Sequence, residues 1–105
     1  MKCWGYNGSG QLGLGDVANR GDGASEMGTN LPVVSLGSST AKWITAGTQH
    51  SCALLADDGV SCWGFNTDRQ LGNGTLSNPT LPSVVAGGGG SSTARGVAAG
   101  LDDTC

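Results

Sequence analysis

A block of sequence occurs twice in this chain, and this repetition restricts the possible folds more than any other feature. Residues 3–16 read CWGYNGSGQLGLGD, and residues 62–75 read CWGFNTDRQLGNGT, with the same residue types at most positions. In both copies a cysteine also follows a glycine by five residues, as in Gly47 to Cys52 and Gly100 to Cys105. Because tandem copies of one pattern fold into copies of one structural unit, the sequence predicts two equivalent units of a repeat protein.

The boundaries of the two copies define the predicted organisation of the chain. The copies run over residues 3–52 and 62–105, and the segment ALLADDGVS between them occurs once. We therefore divide the chain into a first blade-like repeat, 1–52, with a long loop at 14–30, and a second unit, 53–105, which contains the shared hairpin and the second repeat. The chain is expected to be cut within a repeat at both ends, as a window on a longer array or as a unit that finds its missing strand elsewhere.

The composition favours strands and turns over helices. Glycine supplies 20 of the 105 residues, and charged residues only 12%, which is typical of short strands joined by turns. Two strand-like runs, 51–55 and 60–63, flank Asp57-Asp58-Gly59 and predict a β-hairpin whose turn uses the positive φ open to glycine. The other predicted elements are two preceding, more buried strands (43–46 and 96–99) and two Gly-rich loops (5–29 and 86–92). We expect an all-β fold.

Charge and hydropathy exclude several classes of function. Five Lys and Arg residues in a chain of net charge −3 do not form the basic surface that binds phosphate backbones, so no nucleic-acid partner is expected. No apolar run approaches the roughly 20 residues that span a bilayer, so no membrane insertion is expected. The first residues lack a signal-peptide pattern. The glycines of residues 8–15 are not followed by Lys-Ser or Lys-Thr, so we expect no bound nucleotide and no other cofactor.

One cluster of residues has the composition of a hydrolase triad. His50 lies beside Ser51, with Asp57 and Asp58 nearby. Proximity in sequence does not create triad geometry, and no nucleophile elbow is present. We therefore predict no catalytic residue and a protein that is not an enzyme, with His50 as a structural hydrogen-bonding residue.

Short motifs in the loops have both functional and structural interpretations. The acidic residues of the long loop lack the spacing of a calcium-binding loop, so no metal site is expected. Arg20-Gly21-Asp22 spells an adhesion tripeptide, but three-residue matches are common by chance. Asn7-Gly8-Ser9 and Asn73-Gly74-Thr75 fit the acceptor pattern for N-glycosylation, which makes Asn7 and Asn73 possible glycosylation sites.

The four cysteines favour disulfides over zinc. Cys3, Cys52, Cys62 and Cys105 contain no C-x-x-C pair, and the chain has a single histidine, unlike structural zinc sites. Cys52 and Cys62 lie on the two arms of the predicted hairpin, where a cross-strand bond is geometrically natural. By the repeat, Cys3 and Cys105 each need a partner from a missing repeat or from another subunit, in a head-to-tail bond. Disulfides indicate an oxidising compartment, so an extracellular or cell-surface location is expected.

The repeated motif resembles a known family. The string CWGxNxxxQLG, followed by Leu-Pro-x-Val and then by Ala-Gly-x-x-His-Ser-Cys-Ala-Leu, is similar to the repeat of the regulator of chromosome condensation family. The resemblance implies β-propeller blades of four short antiparallel strands, so that this chain is expected to be two blade-like repeats of a larger propeller or of an open repeat assembly.

The resemblance also implies roles for the repeated residues. It implies that Trp4 and Trp63 pack in blade cores, that Gly5 and Gly64 permit a tight turn, and that His50 is the histidine usual in the family, with Asp103 at the equivalent position. The loops between blades are shaped by Gln11, Leu12 and Gly13 in the first copy and by Gln70, Leu71 and Gly72 in the second. The pair of cysteines per repeat departs from the nuclear members and resembles exported bacterial ones.

Two functions follow from these expectations. The first is a non-catalytic structural or interaction module of an extracellular or surface protein, whose copies assemble head to tail into a fibre. Its partners are copies of itself or neighbouring repeats. The alternative is a propeller fragment that binds another protein through an exchange-factor-like or inhibitor-like surface.

Overall fold

The computed structural model describes residues 1–85 and 95–105. Its strands are β1 (Ala41–Ala46), β2 (His50–Leu55), β3 (Val60–Gly64) and β4 (Ser83–Val84), with one 3-10 helix at Gly28–Asn30. They form one antiparallel sheet in the order β1-β2-β3-β4. The predicted all-β fold is therefore confirmed. The Gly-rich loop predicted at 86–92 lies outside the described residues.

The predicted hairpin corresponds to β2 and β3. Cys52 lies directly opposite Cys62 in this pair. The turn differs from the prediction in one detail, because the residue with positive φ is Asp58, at +64°, and not Gly59. Aspartate tolerates the left-handed region better than most residues, and the Asp57 carboxylate accepts a hydrogen bond from the Gly59 amide at 3.2 Å. The side chain of one aspartate and the backbone of the other together make the turn.

Strand β2 lies at the centre of the packing, and all six of its residues are buried. Successive side chains of a strand point to opposite faces of the sheet. Cys52 and Leu54 pack with Leu71 and Val97 of the second repeat. The alternate residues, Ala53 and Leu55, pack on the opposite face against side chains of the first repeat and against Trp63. Side chains from the loops of the second repeat therefore cover one face of the sheet, and side chains from the first repeat cover the other.

Two sequence-based expectations about strands are wrong. The sequence predicts that β1 is more buried than the hairpin, yet Trp43 is 62% exposed because no other side chain covers it among the described residues, and β1 is an edge strand of the sheet. Residues 96–99 do not form a strand. The backbone pairing there is a single isolated bridge between Ala99 and Thr104, which is too short to be a strand.

The sheet does not coincide with either sequence repeat. Strands β1 and β2 come from the end of the first copy, whereas β3 and β4 come from the first half of the second. The predicted division after residue 52 falls inside β2. A complete blade therefore combines the halves of two successive repeats. In the described part of the chain, no helix has the length and apolar character needed to cross a membrane.

Candidate interaction surface between repeats

A buried asparagine organises the loop at the start of each repeat. The Asn7 side chain accepts the Leu12 amide at 2.9 Å and donates to the carbonyl oxygens of Asp16 and Ala18 at 3.0 and 2.9 Å. Asn66 repeats this arrangement, since it accepts the Leu71 amide at 3.0 Å and donates within its own loop. Both side chains are fully buried. Each loop is therefore folded around one side-chain amide, which accepts a hydrogen bond from one backbone amide and donates to backbone carbonyl oxygens.

The glutamine of the QLG motif closes a tight turn in the same loop. Gln11 Oε1 accepts the Ser9 amide at 2.9 Å, and Gln70 Oε1 accepts the Asp68 amide at 3.1 Å. The following leucine is buried in both copies, with Leu12 4% and Leu71 1% exposed. The motif thus positions a buried leucine in each copy of the loop.

The tryptophan of the second repeat binds the loop of the first. Trp63 is fully buried, and its indole Nε1 donates to the Gln11 carbonyl oxygen at 2.8 Å. Ser51 Oγ donates to the same carbonyl oxygen at 2.9 Å. A Cβ atom at Gly13 would lie 2.7 Å from Trp63 Nε1, so glycine is needed for this close approach. The Gln11–Gly13 loop is therefore the binding site for the tryptophan of the next repeat.

Among the described residues, no such loop receives the equivalent tryptophan of the first repeat. Trp4 is 63% exposed and Tyr6 beside it is also 63% exposed. The expectation that Trp4 packs in a blade core is therefore wrong in this structure. The physical reason is that the residues that bury Trp63 come from the preceding repeat.

Two equivalent glycines show the same asymmetry. Gly64 has φ +106° and a Cβ atom there would lie 2.5 Å from the Gln49 carbonyl oxygen and 2.8 Å from His50 Cα. Gly5 has almost the same φ, +112°, but no described atom outside its chain neighbours lies within 4 Å of a Cβ built on it. The backbone conformation is repeated in both copies, whereas within the described part of the chain a neighbouring strand lies only against Gly64.

His50 connects the blade to the end of the chain. Its side chain is 1% exposed, and Nε2 lies 2.8 Å from Thr104 Oγ1. Burial lowers the pKa of His50, an effect opposed in part by Asp103 and Asp102. The neighbouring Ser51 hydroxyl bonds the Gln11 carbonyl rather than the imidazole. His50 is thus a structural hydrogen-bonding residue, and it forms no nucleophile–base pair with Ser51.

The cysteines differ in state. Cys52 and Cys62 form a disulfide between β2 and β3, with a Cα–Cα distance of 4.1 Å. Cys3 and Cys105 carry free thiols, with Cys3 half-buried and Cys105 exposed. Burial raises the pKa of the Cys3 thiol, and the nearby amino terminus opposes this effect. Within residues 1–85 and 95–105, no group of three or more His, Cys, Asp or Glu side chains could hold a metal ion.

The loop motifs have structural roles. Asn7 cannot carry a glycan in this fold, because its buried Nδ2 atom donates to the backbone. Asn73 is half-buried, and glycosylation there stays a prediction. Arg20 binds the Asp16 carboxylate at 2.6 Å, and this hydrogen bond lowers the pKa of Asp16. Arg20 is therefore held inside its own loop and is not displayed as part of an adhesion motif.

Sequence reasoning missed the most important polar residues of these loops. Asn7 and Asn66 occupy equivalent positions in the repeated motif, and Asn19 and Asn78, which accept their backbone amides at 2.9 and 2.8 Å, are equivalent too. The available signal was that asparagine occurs at the same position of the motif in both copies of the repeat. A repeated asparagine is better interpreted as a loop-forming residue than as a glycan acceptor.

Together, the stacked half-blades, the four-stranded antiparallel sheet and the loop that receives the next tryptophan define a β-propeller repeat protein. The regulator of chromosome condensation (RCC1) repeat model matches residues 3–54, and a second model with the same description matches residues 44–70. This chain belongs to the RCC1 repeat family. The family resemblance found in the sequence is confirmed.

Relatives and solved structures agree with this assignment. The chain is 35% identical over 83 residues to the human X-linked retinitis pigmentosa GTPase regulator, covering 77% of this chain and 7% of that protein. It is 28% identical over 90 residues to the ultraviolet-B receptor UVR8 of Arabidopsis thaliana, covering 86% and 19%. Yeast RCC1 (Prp20), solved bound to Kap60, superposes with a TM-score of 0.62 at 25% identity, covering 93% of this chain and 23% of that one. The chain thus spans less than a quarter of each of these proteins.

Proposed function

We propose that this chain is a non-catalytic structural and protein-interaction module whose RCC1-type repeats bind further repeats of the same kind head to tail, at the cell surface or outside the cell. The burial of Trp63 in the Gln11–Gly13 loop carries this proposal. It is a complete example, within one chain, of the contact that one repeat makes with the next.

Both sides of the same contact are also accessible. Trp4 presents the donor side, with its indole exposed. The loop of the second repeat, built around Asn66, has the same internal hydrogen bonds as the loop that receives Trp63. We infer that Trp4 of one copy packs in the second loop of another copy as Trp63 packs in the first loop, which joins the copies head to tail. Repeated addition of copies then gives a fibre, because a heterologous contact that closes no ring continues from copy to copy.

The absence of catalysis is supported by the bonding of the reactive side chains. The His50 imidazole bonds Thr104, and the Ser51 hydroxyl bonds a backbone carbonyl. Neither side chain activates the other, as a nucleophile and its base must do. The extracellular part of the proposal is supported by the Cys52–Cys62 disulfide, because disulfides persist in oxidising compartments. The pair of cysteines per repeat is also the feature that resembles exported bacterial members.

The test compares two tryptophans with nearly identical exposure. Trp4 is 63% and Trp43 is 62% exposed. In sedimentation velocity under reducing conditions, we expect the wild-type protein to form larger species as its concentration rises. Trp4→Ala should weaken this association by at least about tenfold, since a buried indole contact contributes more than about 1.4 kcal/mol. Trp43→Ala should associate like the wild type. Sedimentation as a monomer at all concentrations, or equal loss in both variants, would contradict head-to-tail assembly.

A second candidate is a propeller surface that binds an unrelated protein. The observation that favours it is the solved complex of yeast RCC1 with Kap60. The function would then lie in variable loops, with exchange-factor-like or inhibitor-like surfaces as the expected types. A wild-type protein that stays monomeric and retains one partner in affinity purification, irrespective of the Trp4→Ala change, would favour this candidate.

A further inference from the structure

In four places an asparagine or aspartate precedes a glycine: Asn7-Gly8, Asp22-Gly23, Asp58-Gly59 and Asn73-Gly74. In such a pair the backbone nitrogen of the glycine can attack the side-chain carbonyl carbon before it, because glycine has no side chain to hinder the approach. The attack closes a cyclic succinimide, which water opens to aspartate or isoaspartate. The contacts around each pair determine which of them reacts in the folded protein.

In the two aspartate pairs the glycine nitrogen is already hydrogen-bonded. The Gly23 amide donates to Glu26 Oε2 at 2.8 Å, and the Gly59 amide donates to Asp57 Oδ1 at 3.2 Å. An amide that donates to one carboxylate must break that hydrogen bond before its nitrogen can attack another carboxyl group. The fold therefore protects both pairs.

At Asn7 the side chain itself is held in place. It is fully buried, and its Nδ2 atom donates to the Asp16 and Ala18 carbonyl oxygens at 3.0 and 2.9 Å, while Oδ1 accepts the Leu12 amide at 2.9 Å. The reaction requires Nδ2 to leave as ammonia and Cγ to approach the Gly8 nitrogen, and both movements break these hydrogen bonds. The loss of buried hydrogen bonds raises the barrier, so Asn7 is protected as well.

The contacts of Asn73 favour the reaction. Its side chain is half-buried and Gly74 is exposed. Asn73 Oδ1 accepts the Thr75 amide at 3.1 Å, the Thr75 hydroxyl at 2.9 Å and Asn66 Nδ2 at 3.0 Å. Because Oδ1 bonds the amide two residues further on, the carboxamide is folded along the chain toward the intervening Gly74 nitrogen. Three donors on one carbonyl oxygen also stabilise the negative charge that this oxygen takes up when Cγ is attacked.

A repeat that packs on the loop of the second repeat changes the state of Gly74. Within residues 1–85 and 95–105, no backbone carbonyl oxygen accepts the Gly74 amide. The equivalent glycine of the first copy, Gly15, donates its amide to the Thr80 carbonyl oxygen of the second repeat at 2.9 Å. A further repeat in the same position would bond the Gly74 amide in the same way. Its nitrogen would then be held away from Asn73 Cγ.

We propose that Asn73-Gly74 is a site of spontaneous deamidation in the folded protein, and that packing of a further repeat on the loop of the second repeat suppresses the reaction. The first part of this inference is independent of the proposed function, and the second part rests on the contact between repeats proposed there. Asn73 thus carries a chemical record of how long its loop has been without a neighbouring repeat.

The reaction is a hydrolysis in two steps. Hydroxide removes the proton of the Gly74 amide, and the nitrogen attacks Asn73 Cγ. A bond from this nitrogen to Cγ forms, the bond from Cγ to Nδ2 breaks, and Nδ2 takes a proton from water and leaves as ammonia. Water then adds to one carbonyl carbon of the succinimide and opens the ring. One water molecule is consumed and one ammonia is released, and no group is oxidised or reduced.

The aspartate product retains the contacts of the loop. A carboxylate at position 73 still accepts hydrogen bonds from Thr75 and Asn66, and the first copy already uses a carboxylate in this way, since Asn7 Nδ2 donates to Asp16 Oδ1 at 3.1 Å. The isoaspartate product lengthens the backbone by one methylene group. Both products lack the Nδ2 atom to which a glycan would be attached, so deamidation and glycosylation of Asn73 exclude each other.

The test uses the other Asn-Gly pair of the same molecule as its control. Dilute protein is incubated at mildly alkaline pH with and without urea, and peptide mass spectrometry measures the conversion of Asn73 and Asn7. In urea we expect similar rates, since both residues precede glycine. In the folded protein Asn73 should convert at least about tenfold faster, because only Asn7 must break buried hydrogen bonds to react. Equal rates in the folded protein, or an Asn73 that reacts only in urea, would overturn the site.

A substitution tests the hydroxyl donor. Thr75→Val removes the hydroxyl group and retains the backbone amide, and it should slow the conversion of Asn73 by at least about threefold in the folded protein. Thr75→Ser retains the donor and should react like the wild type. In urea the three proteins should convert at similar rates. The same slowing of Thr75→Val in urea, or no slowing in the folded protein, would contradict activation by this donor.

A concentration series tests the suppression and separates it from the proposed function. Under reducing conditions, conversion of Asn73 in the wild type should slow in proportion to the associated fraction measured by sedimentation, whereas Trp4→Ala at the same concentration should keep the rate of the dilute protein. Association that leaves the Asn73 rate unchanged would overturn the suppression. If the wild type stays monomeric while Asn73 still reacts faster than Asn7, head-to-tail assembly fails and the deamidation site stands.

Discussion

Single residues hold the loops of this protein in place. Asn66 accepts one backbone amide and donates to the oxygen atoms of Asn73 and Thr75 while it is completely buried. A buried side-chain amide that bonds backbone in both directions replaces the regular pairing that a loop lacks. Its removal leaves those buried backbone groups without partners.

We therefore expect Asn66→Ala to destabilise the protein by about 2–4 kcal/mol, because each buried polar group left unpaired costs about 1–3 kcal/mol. Asn30→Ala is the control, since the Asn30 side chain is exposed and makes one hydrogen bond, to the Ser25 carbonyl. It should change stability by less than about 0.5 kcal/mol. Urea denaturation followed by tryptophan fluorescence measures both. Equal stability of the two variants would contradict the role assigned to Asn66.

At the scale of elements, the burial of each strand depends on which side chains pack against its two faces. Strand β2 is covered on both faces by the two repeats, whereas β1 at the sheet edge leaves Trp43 exposed. The end of β3 has the same backbone conformation as residue 5, yet only Gly64 has β2 against it. This difference provides a matched pair of substitutions.

We expect Gly64→Ala to cost about 3 kcal/mol or more, because positive φ alone costs about 1–3 kcal/mol for a residue other than glycine and the new methyl group also meets backbone atoms. Gly5→Ala should cost about 1 kcal/mol in the monomer, since it has the φ penalty without the contact. Chemical denaturation of both variants measures the difference. A Gly5→Ala variant as unstable as Gly64→Ala would show that positive φ, and not the neighbouring strand, sets the cost.

At the scale of the whole molecule, three hydrogen bonds join the blade to the terminal hairpin of residues 98–105: His50 to Thr104, Ala99 to Thr45, and Thr48 to Leu101. His50 of β2 bonds Thr104, and burial lowers the pKa of the imidazole below its ordinary value of 6.5. The unfolded chain therefore takes up a proton on His50 at a higher pH than the folded protein does. Stability must fall as the pH decreases through 6.5 toward the folded-state pKa, and it stops falling below that value.

We expect the urea midpoint to decrease from pH 7.5 to pH 5.5, and this decrease to disappear in His50→Gln. The chain has a single histidine, so few other groups titrate in this window. Asp16, whose pKa Arg20 lowers below 3.8, stabilises the fold above that pH and adds a separate loss at lower pH. A His50→Gln variant with an unchanged dependence between pH 7.5 and 5.5 would contradict this assignment.

The sequence by itself determined the repeat, the hairpin with its bonded Cys52 and Cys62, and the glycine at position 64. These features depend on residues close together in the chain or on equivalent positions of two copies, where alternation and turn chemistry act locally. Only the tertiary structure decided that Trp63 is buried while Trp4 is exposed, that Gly64 is in contact with a strand while Gly5 is not, and that β1 is open to solvent. Equivalent residues differ in these respects because burial depends on which distant segment packs against each of them, and that segment has no signal in the local sequence.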